Sequence, residues 1–181
     1  AFLNRIKVTD VNYSDKGIQL MKNLWWNPID DPHLLVVGGT GGGKTVLLRI
    51  LILALAKVGV ADIGDPKQAD FVTMAEQKAF EGRISYKAED IVAMIERGVD
   101  IMFARYAYIR QKRAENGDKD MKKFYEYGLE PYFLVCDEYN ALCAMLDFQT
   151  RQRLDNAMGQ FLLLGRQAGC FAVIAMQKPS R

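Results

Sequence analysis

The sequence has little of several features that mark other classes of protein. It contains three cysteines and one histidine in 181 residues and no CxxC pair, so neither a disulfide framework nor a zinc site is expected, and a reducing compartment fits best. Its 24 basic and 22 acidic side chains leave a net charge of +2, which excludes nucleic-acid binding by global charge alone. The most apolar run, residues 50–56, is far shorter than the roughly 20 residues that span a bilayer, and no secretory signal is recognisable.

What is present is the composition of an ordinary folded domain. Hydrophobic residues make up 50% and charged residues 25% of the chain, which excludes a disordered, collagen-like or coiled-coil protein. The cysteines, Cys136, Cys143 and Cys170, are expected to be buried thiols that pack as small hydrophobic groups. Because the chain begins with Ala1 rather than methionine, we expect it to be a piece of a longer protein.

Short apolar runs alternate with helical patterns along most of the chain. Four runs are predicted to be buried strands: residues 34–37, 58–63, 132–136 and 170–176. Helices are predicted at residues 45–57, in two segments after residue 67, of which the second covers residues 91–109, and around residues 154–162. Continuous apolar strands separated by helices predict an α/β fold in which a parallel sheet is covered on both faces.

The first residues of the chain do not fit this alternation. Residues 1–30 are predicted to form a lead-in with short strands at residues 5–11 and 18–21, and residues 31–181 are predicted to form the core.

The clearest motif is the glycine-rich segment GGTGGGKT at residues 38–45, which fits GxxxxGK[ST] between a predicted strand and a predicted helix. Glycines let successive N–H groups point at one anion, and the following helix adds the positive end of its dipole. Lys44 is expected to reach the β- and γ-phosphates, and the Thr45 hydroxyl is expected to bind Mg²⁺. The motif therefore predicts ATP with Mg²⁺ as ligands, rather than a turn that binds nothing. The predicted nucleotide-binding residues are Gly38, Gly41, Gly42, Gly43, Lys44, Thr45 and Val46.

Two acidic residues follow the predicted strand at residues 132–136. Asp137 is expected to hold Mg²⁺ through water, and Glu138 is expected to act as the general base that activates the attacking water. The alternative is a solvated pair of acids at a strand end. The buried run before them and the phosphate loop upstream favour the catalytic interpretation. Adjacent acids also favour ATPases that couple hydrolysis to mechanical work over simple kinases and GTPases.

Two polar residues near the end of the chain are further candidates. Gln177 ends the last predicted strand, where it could contact the γ-phosphate or the attacking water. Arg166, eleven residues upstream, could reach the γ-phosphate of a neighbouring subunit as an arginine finger. It could equally stabilise the end of a helix, and spacing alone does not decide between these roles.

Together, five stretches resemble the motor domain of FtsK/SpoIIIE/HerA-type DNA-pumping ATPases. They are residues 32–38, 65–67, 134–142, 164–169 and 174–180. The resemblance implies a RecA-like P-loop NTPase sheet of the additional-strand, catalytic-glutamate class, and homo-hexameric rings that thread DNA through a central pore. It also implies that Arg166 is a finger acting in trans and that Gln177 is a sensor.

Three departures from the family pattern point to a narrower group. Gly42 stands where serine is common, Cys136 replaces an aliphatic residue, and Tyr139-Asn140 replaces Phe-Ala. These variants resemble the conjugative coupling proteins of mobile elements in Gram-positive bacteria. That resemblance implies a cytoplasmic fragment of a membrane-anchored protein, with at least one further strand after Gln177 and with relaxosome and secretion-channel proteins as partners. The alternatives are a chromosome-segregation or DNA-packaging motor, and a recruitment module that binds ATP without threading DNA.

Charge is unevenly distributed in one segment, where seven basic side chains lie among three acidic ones. The basic residues are Arg105, Arg110, Lys112, Arg113, Lys119, Lys122 and Lys123. Tyr106, Tyr108 and Tyr125 are interleaved with them, so DNA phosphate contact, a solvated helix end and a subunit interface all remain open. Trp25 and Trp26 could stack on adenine or DNA bases, although adjacent tryptophans before a nucleotide fold more often serve packing.

Overall fold

The computed structural model describes residues 13–14, 17–39, 42–69 and 71–178, and these form two β-sheets and four α-helices. The strands are β1 (Tyr13–Ser14), β2 (Gly17–Met21), β3 (Leu24–Trp26), β4 (Leu34–Gly38), β5 (Val60–Gly64), β6 (Ile84–Ser85), β7 (Tyr132–Cys136) and β8 (Cys170–Gln177). The α-helices are α1 (Lys44–Val58), α2 (Ala88–Asn116), α3 (Tyr139–Met145) and α4 (Phe148–Leu164). Short 3₁₀ turns occur at Val72–Met74, Lys78–Phe80, Phe124–Tyr127 and Gly165–Ala168.

The main sheet is parallel, with strand order β4-β8-β7-β5-β6, and β1 to β3 form a separate antiparallel sheet. Helix α1 and strands β2 and β3 pack against one face of the parallel sheet, while α2 and α4 pack against the other. Every residue of β7, the central strand, is buried. The predicted α/β architecture, with helices on both faces, is confirmed.

The central strands begin and end close to their predicted limits. β7 coincides with its prediction, and β8 is longer by one residue, Gln177. β5 starts at Val60 because Val58 belongs to α1 and the Gly59 N–H donates to the Leu55 carbonyl, which closes that helix. Helix α2 is confirmed and ends at Gly117, whose φ of 68° suits glycine.

The prediction of an α-helix directly after residue 67 is wrong. Within residues 71–87, the chain forms two 3₁₀ turns and the short strand β6, which the sequence did not predict. Phe71, Met74 and Phe80 are buried, so this segment is anchored at separate points rather than along a helical face. The strand predicted at residues 5–11 lies outside the described residues.

Strand β4 was expected to be buried on both faces, and this expectation is also wrong. It lies at the edge of the described sheet, where Leu35 and Val37 remain 60% and 53% exposed. Leu34 and Val36 pack against the α1 side of the sheet. All four residues of the run are apolar, yet alternate side chains are packed and exposed. This alternation depends on which elements lie beside β4, and the run itself does not reveal it.

Trp26 and two of the three cysteines are packing residues. Trp26 is buried, its indole N–H donates to the Asp31 carbonyl at 2.8 Å, and its ring lies 6.3 Å from that of Phe133. Cys136 and Cys170 are buried free thiols, as predicted, whereas Cys143 is half-buried. No helix in the described ranges has the length and apolar character required to cross a membrane.

His33, just before β4, joins the strand layer to the end of α4. Its Nδ1 accepts the Ala172 N–H at 3.0 Å, so its Nε2 carries the proton and donates to the Leu162 carbonyl at 2.8 Å. Burial lowers the pKa of His33 below its ordinary value, although the hydrogen bond to Leu162 opposes this shift. The neutral ring is therefore the form that fits the fold.

We predict that His33→Gln makes stability less sensitive to acid. The folded protein binds the His33 proton less tightly than the unfolded chain does, so the free energy of unfolding falls as the pH drops below about 6.5. Chemical denaturation at about pH 7.5 and about pH 5.5 measures this loss, which should be larger in the parent than in the variant. Equal losses in both proteins would contradict the assignment.

Candidate nucleotide-binding site

The phosphate loop joins the end of β4 to the start of α1, as its motif predicts. Gly43 precedes α1 with a φ of 79°, and a Cβ on Gly42 would lie 3.1 Å from the Gly39 carbonyl oxygen. No side chain caps α1 and no acidic residue lies in its first turn, so its N–H groups and positive dipole end suit an anion. Thr45 and Val46 occupy this first turn. Gly41 lies outside the described residues.

The two predicted catalytic acids lie beside Lys44. Its ammonium group is 2.9 Å from Asp137 Oδ1 and 2.5 Å from Glu138 Oε1. Both carboxylates are buried, with exposed fractions of 1% and 5% for the two residues. The sheet explains this meeting, because β7 and β4 are parallel strands and their carboxyl ends reach the same edge.

The backbone at Glu138 has an unusual conformation that orients this acid. Its φ of 47° and ψ of 46° are left-handed values, which a residue other than glycine adopts at a cost of about 1–3 kcal/mol. The Glu138 N–H donates to Asp137 Oδ1 at 2.8 Å, and the Glu138 carbonyl accepts the Ala141 and Leu142 N–H groups at the start of α3. The turn between β7 and α3 thus holds both carboxylates toward the phosphate loop.

Burial and ion pairing act in opposite directions on these charges. Burial alone would lower the pKa of Lys44, but its hydrogen bonds to Glu138 and Asp137 raise it overall. Burial likewise works to raise the pKa of Glu138, yet the neighbouring Lys44 holds it below its usual value. For Asp137 burial prevails, and its pKa is raised. Lys44 and Glu138 therefore face each other as a cation and an anion.

Lys67 is a further residue of the site that the sequence did not single out as functional. Its ammonium group lies 3.4 Å from Glu138 Oε1, so two lysines share this carboxylate. Nearby, Asp65 is fully buried, and its Oδ1 has no hydrogen-bond partner among the described residues. Their position after a strand could have indicated a role in the site, because they follow β5, whose carboxyl end lies next to that of β7.

Thr45 and Asp137 are the residues expected to hold Mg²⁺. In the described part of the chain no group of three or more histidine, cysteine or acidic side chains forms a metal site by itself. One hydroxyl and one carboxylate suit Mg²⁺, which retains several waters and is completed by substrate phosphates. The donor set therefore fits the ion that the motif predicts.

Gln177 and Arg166 lie at opposite ends of β8. Gln177 pairs with Gly38 across the sheet, and the Lys178 N–H donates to the Gly38 carbonyl, so Gln177 is next to the phosphate loop. Arg166 lies in the turn before β8, an eight-residue strand of about 25 Å. Its exposed side chain makes no hydrogen bond or ion pair with any described residue. The length of β8 separates it from the phosphate loop of the same chain.

Most of the basic side chains between residues 105 and 123 contact other groups of the same chain. Arg105 donates to main-chain carbonyls, Lys112 and Lys122 pair with Glu115 and Asp118, and Arg113 donates to the Asp118 and Lys119 carbonyls. The Lys123 ammonium lies 5.9 Å from the ring centroid of Tyr125. These contacts lie within the chain, and because the ion pairs are accessible to solvent, the helix-end, DNA and subunit-interface interpretations all remain predictions.

Replacing Lys44 with methionine should destabilise the nucleotide-free protein by about 3 kcal/mol, because two buried carboxylates would lose their shared cation. Chemical denaturation without nucleotide measures this change. Lys112→Met is the matched control, since it removes an exposed lysine whose pair with Glu115 is open to solvent. The two variants should differ clearly in unfolding midpoint, and similar midpoints would show that the buried pairs contribute little.

Several known proteins are similar to this chain. The FtsK domain-containing protein YdcQ of Bacillus subtilis is 34% identical over 178 residues, covering 97% of this chain and 36% of YdcQ. The DNA translocase FtsK of Borreliella burgdorferi is 26% identical over 176 residues, covering 88% of this chain and 21% of its own length. The ESX secretion system protein EccC of Thermomonospora curvata is 28% identical over 155 residues, covering 75% of this chain and 12% of EccC. The chain thus spans about a third or less of these relatives.

Solved structures share the fold. The pCW3 conjugation coupling protein TcpA, in its monomer form with ATPγS, matches with a TM-score of 0.67 at 23% identity, covering 94% of this chain and 48% of the other. The cytoplasmic domain of EssC matches with a TM-score of 0.62 at 21% identity, covering 85% of this chain and 28% of the other. The predicted P-loop ATPase fold is confirmed. A sequence model of the FtsK/SpoIIIE family matches residues 15–153, and the chain belongs to the FtsK/SpoIIIE family.

Proposed function

We propose that this chain is the ATP-hydrolysing core of a DNA translocase. The observation that carries the proposal is the placement of Lys44 between Asp137 and Glu138 at the end of a phosphate loop. This arrangement brings a phosphate-binding cation, a metal-binding acid and a candidate base to one edge of the sheet. Relatives named as DNA translocases support the choice of DNA as the substrate on which the motor acts.

Each residue of the site has a distinct role in the proposed reaction. Lys44 turns from the carboxylates to the β- and γ-phosphates, which frees Glu138 to take a proton from the attacking water. Asp137 and Thr45 would hold Mg²⁺, which would supply positive charge beside the phosphates. Gln177, beside the phosphate loop, contacts the γ-phosphate or the water and responds to its loss. Arg166 acts on ATP that a neighbouring subunit holds.

For the full-length protein we propose a role as the coupling protein of conjugative DNA transfer. The fold shared with TcpA and the sequence variants at Gly42, Cys136 and Tyr139 support this role. The role would include a homo-hexameric ring, a membrane anchor outside this chain, and contacts with relaxosome and secretion-channel proteins. A chromosome-segregation motor is the alternative that the relatives named FtsK support.

A second candidate function is transport of protein rather than DNA. The similarity to the secretion protein EccC and the fold shared with EssC favour it. The ATPase rate of the full-length protein, measured with and without double- and single-stranded DNA, separates these functions. Stimulation by DNA supports a DNA motor. Equal rates in an assembled, active protein would argue for the secretion motor or for a recruitment module that does not thread DNA.

We expect full-length Glu138→Gln to bind ATP but to hydrolyse it at a rate lower by about a hundredfold or more, since glutamine keeps the shape and cannot accept the proton. Binding of a fluorescent ATP analogue and single-turnover hydrolysis measure the two steps separately. Asp137→Asn should instead raise the Mg²⁺ concentration needed for half-maximal activity. Rapid turnover by Glu138→Gln would exclude it as the base.

Arg166→Ala should lower ATPase activity about 10³-fold or more if Arg166 is a finger acting in trans. Mixing full-length Arg166→Ala with Lys44→Ala tests this role, because some mixed interfaces combine an intact phosphate loop with an intact arginine. Activity should then partly return. If subunits are shown to exchange and the mixture is as inactive as either variant, Arg166 has a structural role instead.

A further inference from the structure

The turn that carries Arg166 is held on both sides by two consecutive residues of α2. Arg105 Nη1 donates to the Ala168 carbonyl at 3.1 Å and lies 3.4 Å from the Gly169 carbonyl oxygen. The Tyr106 hydroxyl donates to the Leu164 carbonyl at 2.6 Å. Ala168 and Gly169, which Arg105 contacts, follow Arg166 in the chain, and Leu164, which Tyr106 contacts, precedes it. A single turn of α2 thus fixes the main chain on either side of Arg166.

The turn has little freedom of its own. A Cβ on Gly165 would lie 2.3 Å from the Cys170 carbonyl oxygen, so the two backbone segments are in direct contact. Gly169 has a φ of 68°, which closes the turn in a conformation that favours glycine. Arg105 Nη1 also donates to the Glu130 carbonyl at 2.7 Å, which connects the same point to the segment before β7.

Helix α2 is itself fixed to the sheet, so it can serve as a rigid support. A Cβ on Gly98 would lie 2.8 Å from Leu134 Cδ1, so α2 approaches β7 closely at that position. A Cβ on Gly64 would lie 2.8 Å from Ile91 Cγ2, so the start of α2 approaches the end of β5 in the same way. The support for the turn is therefore the core of the domain.

The backbone of Arg166 is fixed, but its side chain is exposed and has no hydrogen-bond or ion-pair partner among the described residues. A cation on a preorganised backbone loses less entropy when it meets an anion than a cation on a mobile loop. We propose that Arg105 and Tyr106 are positioning residues that hold this turn and so direct Arg166 at the γ-phosphate bound by an adjacent subunit. The proposal rests on the trans role of Arg166 given above.

The test uses the full-length protein and the variants Arg105→Met and Tyr106→Phe. Each should lower kcat for ATP about tenfold or more with little change in KM, because the subunit's own phosphate loop is untouched. Arg153→Met is the matched control. Arg153 also connects α4 to α2, through Glu89 and Glu96, but away from the turn, and its loss should leave kcat near that of the parent. Thermal unfolding and ring assembly are measured for every variant.

Mixed rings separate positioning from general damage. A subunit that misdirects Arg166 still has a working phosphate loop, so Arg105→Met should recover activity when mixed with Lys44→Ala and should not recover it with Arg166→Ala. Damage to the subunit's own ATP site would give the reverse pattern. Tyr106→Phe removes one oxygen atom, so it decides the question if Arg105→Met does not fold.

Two kinds of failure can be told apart. If Arg105→Met and Tyr106→Phe keep the parent kcat, or if they recover activity with Arg166→Ala, the positioning role is wrong while the trans role of Arg166 stands. If Arg166→Ala itself keeps full activity, or does not complement Lys44→Ala, the trans role is wrong and the positioning role falls with it.

Discussion

The structure depends on one geometric constraint, which is that parallel strands bring their carboxyl ends to the same edge of a sheet. The phosphate loop follows β4, the paired acids follow β7, Lys67 follows β5, and Gln177 ends β8. Residues that are more than ninety positions apart in the chain therefore meet within hydrogen-bond distance, as Lys44 and Asp137 do. The buried strands and their helices serve mainly to keep this edge in register.

Lys44 cannot satisfy the carboxylates and the phosphates at the same time. Without nucleotide its charge is matched by Asp137 and Glu138, which would otherwise be buried anions without a partner. In the proposed reaction the phosphates would take that charge and the acids would need a new partner; the Lys67 ammonium already lies 3.4 Å from Glu138 Oε1. Under the proposed function, nucleotide binding would therefore separate Lys44 from both carboxylates.

The sequence predicts the elements whose signal is local. Helix α1, strands β7 and β8 and the phosphate loop follow from apolar runs and from a motif that needs glycine and lysine in fixed register. Burial of β4 could not be predicted in the same way, because it depends on which strands lie beside Leu35 and Val37. Lys67 was missed for a similar reason, since only the strand order places it next to Glu138.

The contacts of the basic segment could not be predicted from the sequence either. A count of charges groups Arg105 with lysines at the surface, whereas the structure commits its guanidinium to three main-chain carbonyls. Charge clustering in a sequence does not distinguish a side chain that faces solvent from one that fixes the backbone. This difference matters here because the backbone that Arg105 fixes is the one that carries Arg166.

Strand β8 separates two of the predicted site residues, Gln177 and Arg166. Gln177 lies at the phosphate loop of its own subunit, while Arg166 lies about 25 Å away at the other edge of the sheet. A rigid strand cannot bring both residues to one ATP, so a subunit that uses both must respond to its own nucleotide and act on another. Under the proposed function, loss of a γ-phosphate beside Gln177 and the direction of Arg166 would then depend on one strand and on helix α2, which supports the turn at the start of that strand.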